Sequence, residues 1–134
     1  MKKRYLILLQ VFALLIFVLA GCDKTAKEPI CDYHVRAYVT NVTGSATATV
    51  NQEIDLNVSF GVVNSCGLFE SFTETTSGNS TTINVAASYN GCYCTQTAQI
   101  RNTVYKFKRP AAGTYNLLFY LSETSFLTYT ITVT

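Results

Sequence analysis

The sequence has one histidine, one methionine and no tryptophan, and only 13% of its 134 residues are charged. Each scarcity removes a class of chemistry. A Ser-His-Asp arrangement would have to run through His34, and no G-x-S-x-G elbow is present to carry the serine. Met1 is the sole methionine, so the thioether ligands that suit Cu(I) are missing. No C-x-x-C occurs, the usual spacing of a redox dithiol. Glu70 and Glu74 flank Phe72 and come nearest to the paired carboxylates of a glycosidase. That chemistry needs a cleft and a defined separation, and surface acids on a β-protein are far commoner. The sequence predicts no catalytic residue, no enzymatic activity and no cofactor.

What is present begins with a basic M-K-K-R and an apolar run from Tyr5 to Gly21, broken only by Gln10. The order and length are those of a secretory signal peptide; a membrane-spanning helix wants roughly 20 apolar residues. Leu19-Ala20-Gly21-Cys22 resembles the lipobox of bacterial lipoproteins, whose cysteine takes a diacylglyceryl thioether and becomes the mature N-terminus. Small residues at 20 and 21 admit a peptidase, and Cys22 supplies the sulfur. The resemblance implies three parts. Residues 1–21 are a lipoprotein signal peptide, 22–30 a lipidated N-terminus and polar tether, and 31–134 a folded domain. It also implies a lipid membrane as partner through acylated Cys22, since two or more acyl chains anchor stably where one does not. The localisation that follows is the cell envelope, with the outer membrane favoured and the domain in the periplasm or at the cell surface. Asp23 resembles an inner-membrane retention signal of some bacteria, so the leaflet stays open.

Loss of the first 21 residues takes Lys2, Lys3 and Arg4 with it. Seven basic residues then face eight acidic ones, and the formal charge of +2 becomes about −1. The basicity belongs to the targeting segment, which excludes an electrostatic case for nucleic acid.

From Tyr33 onward the hydrophobic period is two. Ile54, Leu56, Val58, Phe60 and Val62 alternate with Asp55, Asn57, Ser59 and Gly61, the pattern of a strand with one wet face. Tyr33-Val35-Ala37-Val39, Ile83-Val85-Ala87-Tyr89, Tyr115-Leu117-Phe119-Leu121 and Leu127-Tyr129-Ile131-Val133 repeat it, and Tyr105 and Phe107 alternate with Lys106 and Lys108. Turn residues separate the runs at Thr43-Gly44-Ser45, Ser77-Gly78-Asn79, Asn90-Gly91 and Pro110-Ala111-Ala112-Gly113. The expectation is an all-β fold, a single antiparallel β-sandwich of about seven to eight strands. The stretch P-A-A-G-T-Y-N-L-L-F resembles the corner of immunoglobulin-like domains, which implies that the Tyr115 hydroxyl bonds back to loop backbone. Two features depart from that family: there is no tryptophan, and Leu117 stands where the second core cysteine would be. Taken whole, the chain resembles small envelope lipoproteins built from one immunoglobulin-like domain.

Four cysteines remain beside Cys22: Cys31, Cys66, Cys92 and Cys94. An even count in an oxidising compartment favours two disulfides. Pairing Cys92 with Cys94 is disfavoured, because side chains two apart on a strand stand too far apart to bridge. Cys31 and Cys66 should each take one of the two; Cys66–Cys94 with Cys31–Cys92 is preferred over the reverse. Closing a loop of about 29 residues should stabilise by roughly 3–4 kcal/mol. The competing reading is an envelope metal-binding protein holding Cu or Zn through Cys31, His34, Cys92 and Cys94, because C-x-x-H and C-x-C place soft ligands together. It requires thiolates to survive oxidation, so no metal is the preferred expectation.

Leu68-Phe69-Glu70-Ser71-Phe72 carries more apolar bulk than a loop usually does. Read as an interstrand loop, it makes Phe69 and Phe72 the candidate binding surface for a protein or glycan partner. The plainer reading, that they cap the core, is the commoner outcome. Lys106, Lys108 and Arg109 are too few for a nucleic-acid footprint. The function expected from sequence is a membrane-anchored envelope lipoprotein whose disulfide-braced domain serves binding, adhesion or assembly.

Overall fold

A computed structural model describes residues 31–134; residues 1–30, on which the expected signal peptide, the lipidation at Cys22 and the expected tether fall, lie outside the described residues. Nine strands follow one another: β1 (Tyr33–Ala37), β2 (Val39–Gly44), β3 (Thr47–Ala48), β4 (Ile54–Val62), β5 (Gly67–Ser77), β6 (Ser80–Tyr89), β7 (Gln99–Phe107), β8 (Gly113–Tyr120) and β9 (Phe126–Val133). They form two sheets. One has six strands in the order β1-β6-β8-β9-β3 with β5 also on β6, and the other has three in the order β2-β4-β7. The all-β sandwich expected from the alternation is present.

β4 shows why. Its alternate residues Leu56, Val58 and Phe60 are fully buried, and the residues between them are not. Opposite them, Ile83, Val85 and Ala87 of β6, Leu117 and Phe119 of β8 and Ile131 of β9 are equally buried. Side chains of period two from both inner faces interdigitate between the sheets. Each large aliphatic or aromatic side chain so buried contributes about 1.5–3 kcal/mol. An aromatic chain continues the core towards β5 and β7: Phe60 to Phe69 at 6.1 Å, Phe69 to Phe72 at 4.8 Å, and Phe72 edge-on to Tyr105 at 5.2 Å.

Three expectations are corrected. The sandwich is not antiparallel throughout, because β8 runs parallel to β6 and β3 parallel to β9. The chain leaves β6, crosses to the smaller sheet as β7, and returns as β8; such a crossover can make parallel neighbours, which a hairpin cannot. The run from Tyr33 to Val39 is not one strand. β1 pairs with β6, whereas Val39 already pairs with Phe60 of β4, so the chain changes sheets at Tyr38.

Nor is Leu68–Phe72 a loop. It lies in β5, an 11-residue strand joined to β6 by a hairpin in which Gly78 supplies a φ of 57°. The register steps between Phe69 opposite Ala87 and Ser71 opposite Ala86. That bulge at Glu70 lets Phe69 and Phe72, three apart, both face inward. It also breaks the period of two that would have marked the strand. For the same reason Glu70 and Glu74 do not share a face: Glu74 pairs with inward Ile83.

β6 organises the larger sheet. β5 covers one of its edges along the whole length. The other edge is divided, with β1 antiparallel on Val85–Tyr89 and β8 parallel on Ser80–Ile83. The two short partners meet head-on beside Asn84.

Candidate functional site

The C-terminal ends of β4 and β6 and the start of β1 meet at one end of the sandwich, and the cysteines gather there. Cys31, just before β1, bridges to Cys92 with a Cα–Cα distance of 4.8 Å. Cys66, just before β5, bridges to Cys94 at 5.6 Å. The irregular segment after β6 is thereby clasped from two sides, once by the entry of the chain and once by the β4–β5 turn. The preferred pairing is the one found.

Hydrogen bonds complete the clasp. The Gly91 N–H donates to Asp32 Oδ1 at 3.0 Å, and the Thr95 N–H to Ser65 Oγ at 2.9 Å. Buried Asn64 turns the β4–β5 connection by accepting from the Cys66 N–H through Oδ1, at 3.0 Å. Arg101 reaches in from β7 and donates to the carbonyls of Gly67 (3.1 Å) and Ser65 (3.0 Å). Tyr33 lies flat on Tyr89, and the Tyr89 hydroxyl accepts the Val63 N–H at 3.0 Å. Gly67 is required here. A Cβ at this position would stand 2.5 Å from Val62 Cβ and 2.8 Å from the Tyr89 ring.

The cysteines of the alternative metal set are thus divided between two disulfides, and a disulfide sulfur is no thiolate ligand. His34 points from the outer face of β1 across β6, where its Nδ1 lies 2.9 Å from Glu70 Oε2. Among the described residues no group of three or more His, Cys, Asp or Glu is placed to hold a metal ion. Phe69 and Phe72 pack half-buried against the core rather than standing on a loop. Cys22 lies outside the described residues.

Residues 56–133 match the ORF11 beta-sandwich domain, more than half of the chain. This chain belongs to the ORF11 beta-sandwich domain family. No curated protein and no solved structure matches it. The matched span of the ORF11 domain begins inside β4 and runs into β9, so it contains Cys66, Cys92 and Cys94 with the whole Cys66–Cys94 bridge. Cys31 and β1 to β3 precede it.

Sequence reasoning missed three polar assemblies of this ORF11 domain. At the seam beside β6, Arg36 Nε donates to Asn84 Oδ1 at 2.7 Å, and Tyr38 donates to Glu123 on the β8–β9 turn. The Glu123 hydrogen bond holds the Tyr38 phenol above its usual pKa. On the wet face of the smaller sheet, Lys106 donates to Glu53 at 2.7 Å and to Asp55 at 3.4 Å, which raises its ammonium pKa, Glu53 being the larger cause. Between β5 and β7, burial first and then the Glu74 carboxylate push the Tyr105 phenol up. Nearby, Arg109 donates to Thr81 Oγ1 at 2.9 Å and lies over the rings of Phe107 and Tyr115. The cross-strand register that brings these partners together was the missing signal.

Proposed function

We propose that this chain is a lipid-anchored protein of a bacterial cell envelope whose β-sandwich is a non-enzymatic module for binding or assembly. The observation that carries the reading is the placement of the disulfides. Two bridges joining residues 61 and 28 apart suit a compartment where thiols are oxidised. The basic start, apolar run and L-A-G-C at residues 1–22 suit export followed by acylation of Cys22.

The chemistry of the side chains agrees with a non-catalytic role. The only histidine is engaged with Glu70 on an open sheet face, and Lys106 with Glu53 and Asp55 on another. Both sets pair side chains of different strands or their flanks, which supports a bracing role for them.

The test is to label the full chain metabolically with palmitate in a bacterial host and to fractionate the membranes. The full-length protein should carry label and sediment with membranes. Cys22→Ser should lose both the label and the cleavage at residue 21. Unlabelled wild-type protein in the soluble fraction would end this reading.

A further inference from the structure

Ten large apolar side chains stand exposed among the described residues, and they are unevenly placed. Six of them, Tyr33, Val35, Val63, Leu68, Tyr93 and Ile100, belong to the disulfide end of the sandwich. The strand registers put them there. Tyr33 and Gly67 both pair with Tyr89 at the end of β6, and Leu68 with Ser88. Val35 pairs with Ala87, one inward position further in. Ile100 pairs with Gly61 near the end of β4, and Val63 follows directly. Tyr93 sits between the two bridged cysteines and is wholly exposed. Single exposed apolar residues are ordinary, but six of ten gathered towards one end single that end out as a candidate contact surface.

The same end is where the described chain begins. Cys31 is fixed there by its bridge to Cys92, and Cys22 precedes it by nine residues. Nine residues span at most roughly 30 Å when fully extended. A domain tethered through Cys22 therefore has this end, and not the opposite one, within easy reach of the bilayer. Lys106, Lys108 and Arg109 lie towards the far end, where Ile54 pairs with Phe107. The near end is furnished with tyrosines and aliphatic side chains, and tyrosine favours the membrane–water boundary because its ring is apolar and its hydroxyl is wet.

We infer that the disulfide end of the sandwich docks on the lipid surface, with Tyr33, Val63, Leu68 and Tyr93 entering the headgroup layer. The inference rests on the lipid-anchor reading above and adds an orientation to it. The domain stands on its cystine-braced end. The opposite end, with Val50 and the β8-entry turn, faces away from the membrane and is the end left to meet a partner. Tyr33, Val63, Leu68 and Tyr93 carry no charge, and Arg101 at this end is engaged with the Gly67 and Ser65 carbonyls, so the contact is chiefly apolar.

The absence of tryptophan gives a clean probe. The full chain, purified from membranes of a bacterial host, is reconstituted into phosphatidylcholine vesicles as Tyr93→Trp and, separately, as Val50→Trp. Emission is then read with and without brominated acyl chains. The Tyr93→Trp probe should be blue-shifted and lose emission to bromine, and the Val50→Trp probe should do neither. Adding Val63→Ser and Leu68→Ser to the first should reverse its shift. Two unquenched probes would overturn the docking. So would a Tyr93→Trp probe that is shielded but unquenched in a protein of dimeric mass, which would assign this end to a second copy. An intact mass decides Cys22 separately. Acylation with no quenching leaves the anchor reading standing and removes the docking, whereas quenching of an unacylated chain does the reverse.

Discussion

The guanidinium of Arg36 lies 4.0 Å above the ring of Tyr120, joining the end of β1 to the end of β8. Neither strand pairs with the other; each occupies half of one edge of β6. Arg36 also donates to Asn84, the β6 residue at the point where they meet. A cation over a partly exposed ring such as that of Tyr120 contributes about 0.5–1 kcal/mol and a side-chain hydrogen bond about as much. Arg36→Ala should therefore cost about 1–2 kcal/mol in urea unfolding. Amide exchange in β1 should accelerate more than in β4. Equal acceleration throughout would mean that the seam has no local role.

The two bridges should not be equivalent. In the chain-entropy account, closing the 28-residue separation of Cys66–Cys94 contributes about 3–4 kcal/mol and the 61-residue separation of Cys31–Cys92 slightly more. The latter, however, secures only the entry to β1, a five-residue strand. Cys31→Ser/Cys92→Ser should free β1 to exchange while the rest of the sandwich stays protected. Cys66→Ser/Cys94→Ser should lower the whole unfolding transition. Reversal of that order would show that β1 is part of the cooperative core.

Gly67 meets two neighbours that cannot retreat, the Val62 side chain and the Tyr89 ring. Overpacking a filled site typically costs 1–3 kcal/mol. Gly67→Ala should fall in that range, about 1–3 kcal/mol, and lower the thermal midpoint by several degrees. Gly61→Ala, with open space around it, is the control and should change stability by less than about 0.5 kcal/mol.

Tyr105 makes stability sensitive to base. Its folded-state pKa is raised above the ordinary 10.0, first by burial and then by Glu74. The folded state holds this proton more tightly than the unfolded state does. Its contribution is therefore complete below pH 10 and is lost as pH rises above 10, where the unfolded chain ionises first. Lys106, whose pKa is also raised, loses its contribution above 10.5 in the same direction. Tyr105→Phe keeps the ring and removes the titration. The urea midpoint of this variant should fall less steeply above pH 10 than that of the wild type; an identical fall would exclude Tyr105 as the cause.

Much of this protein was determined by local chemistry. The alternation along β4, β6, β8 and β9 specifies strands and their inward faces, because a period of two permits no other buried arrangement. The corner at Tyr115 was legible too, and its hydroxyl donates to the Ala111 carbonyl at 2.9 Å. The even cysteine count, with the short Cys92–Cys94 spacing, pointed to two bridges leaving that segment. Tertiary structure decided the rest. β5 was hidden because the bulge at Glu70 shifts the period by one residue, and only pairing with β6 shows where the shift falls. The division of residues 33–44 between two sheets was equally hidden, since both halves read as the same alternation and differ only in partner. Parallel pairing of β6 with β8 depends on β7 crossing to the other sheet. The gathering of Tyr33, Val63, Leu68 and Tyr93 at one end depends on four separate segments meeting there. Periodicity is a property of neighbours in sequence; the end of a sandwich is made by residues that are neighbours only in space.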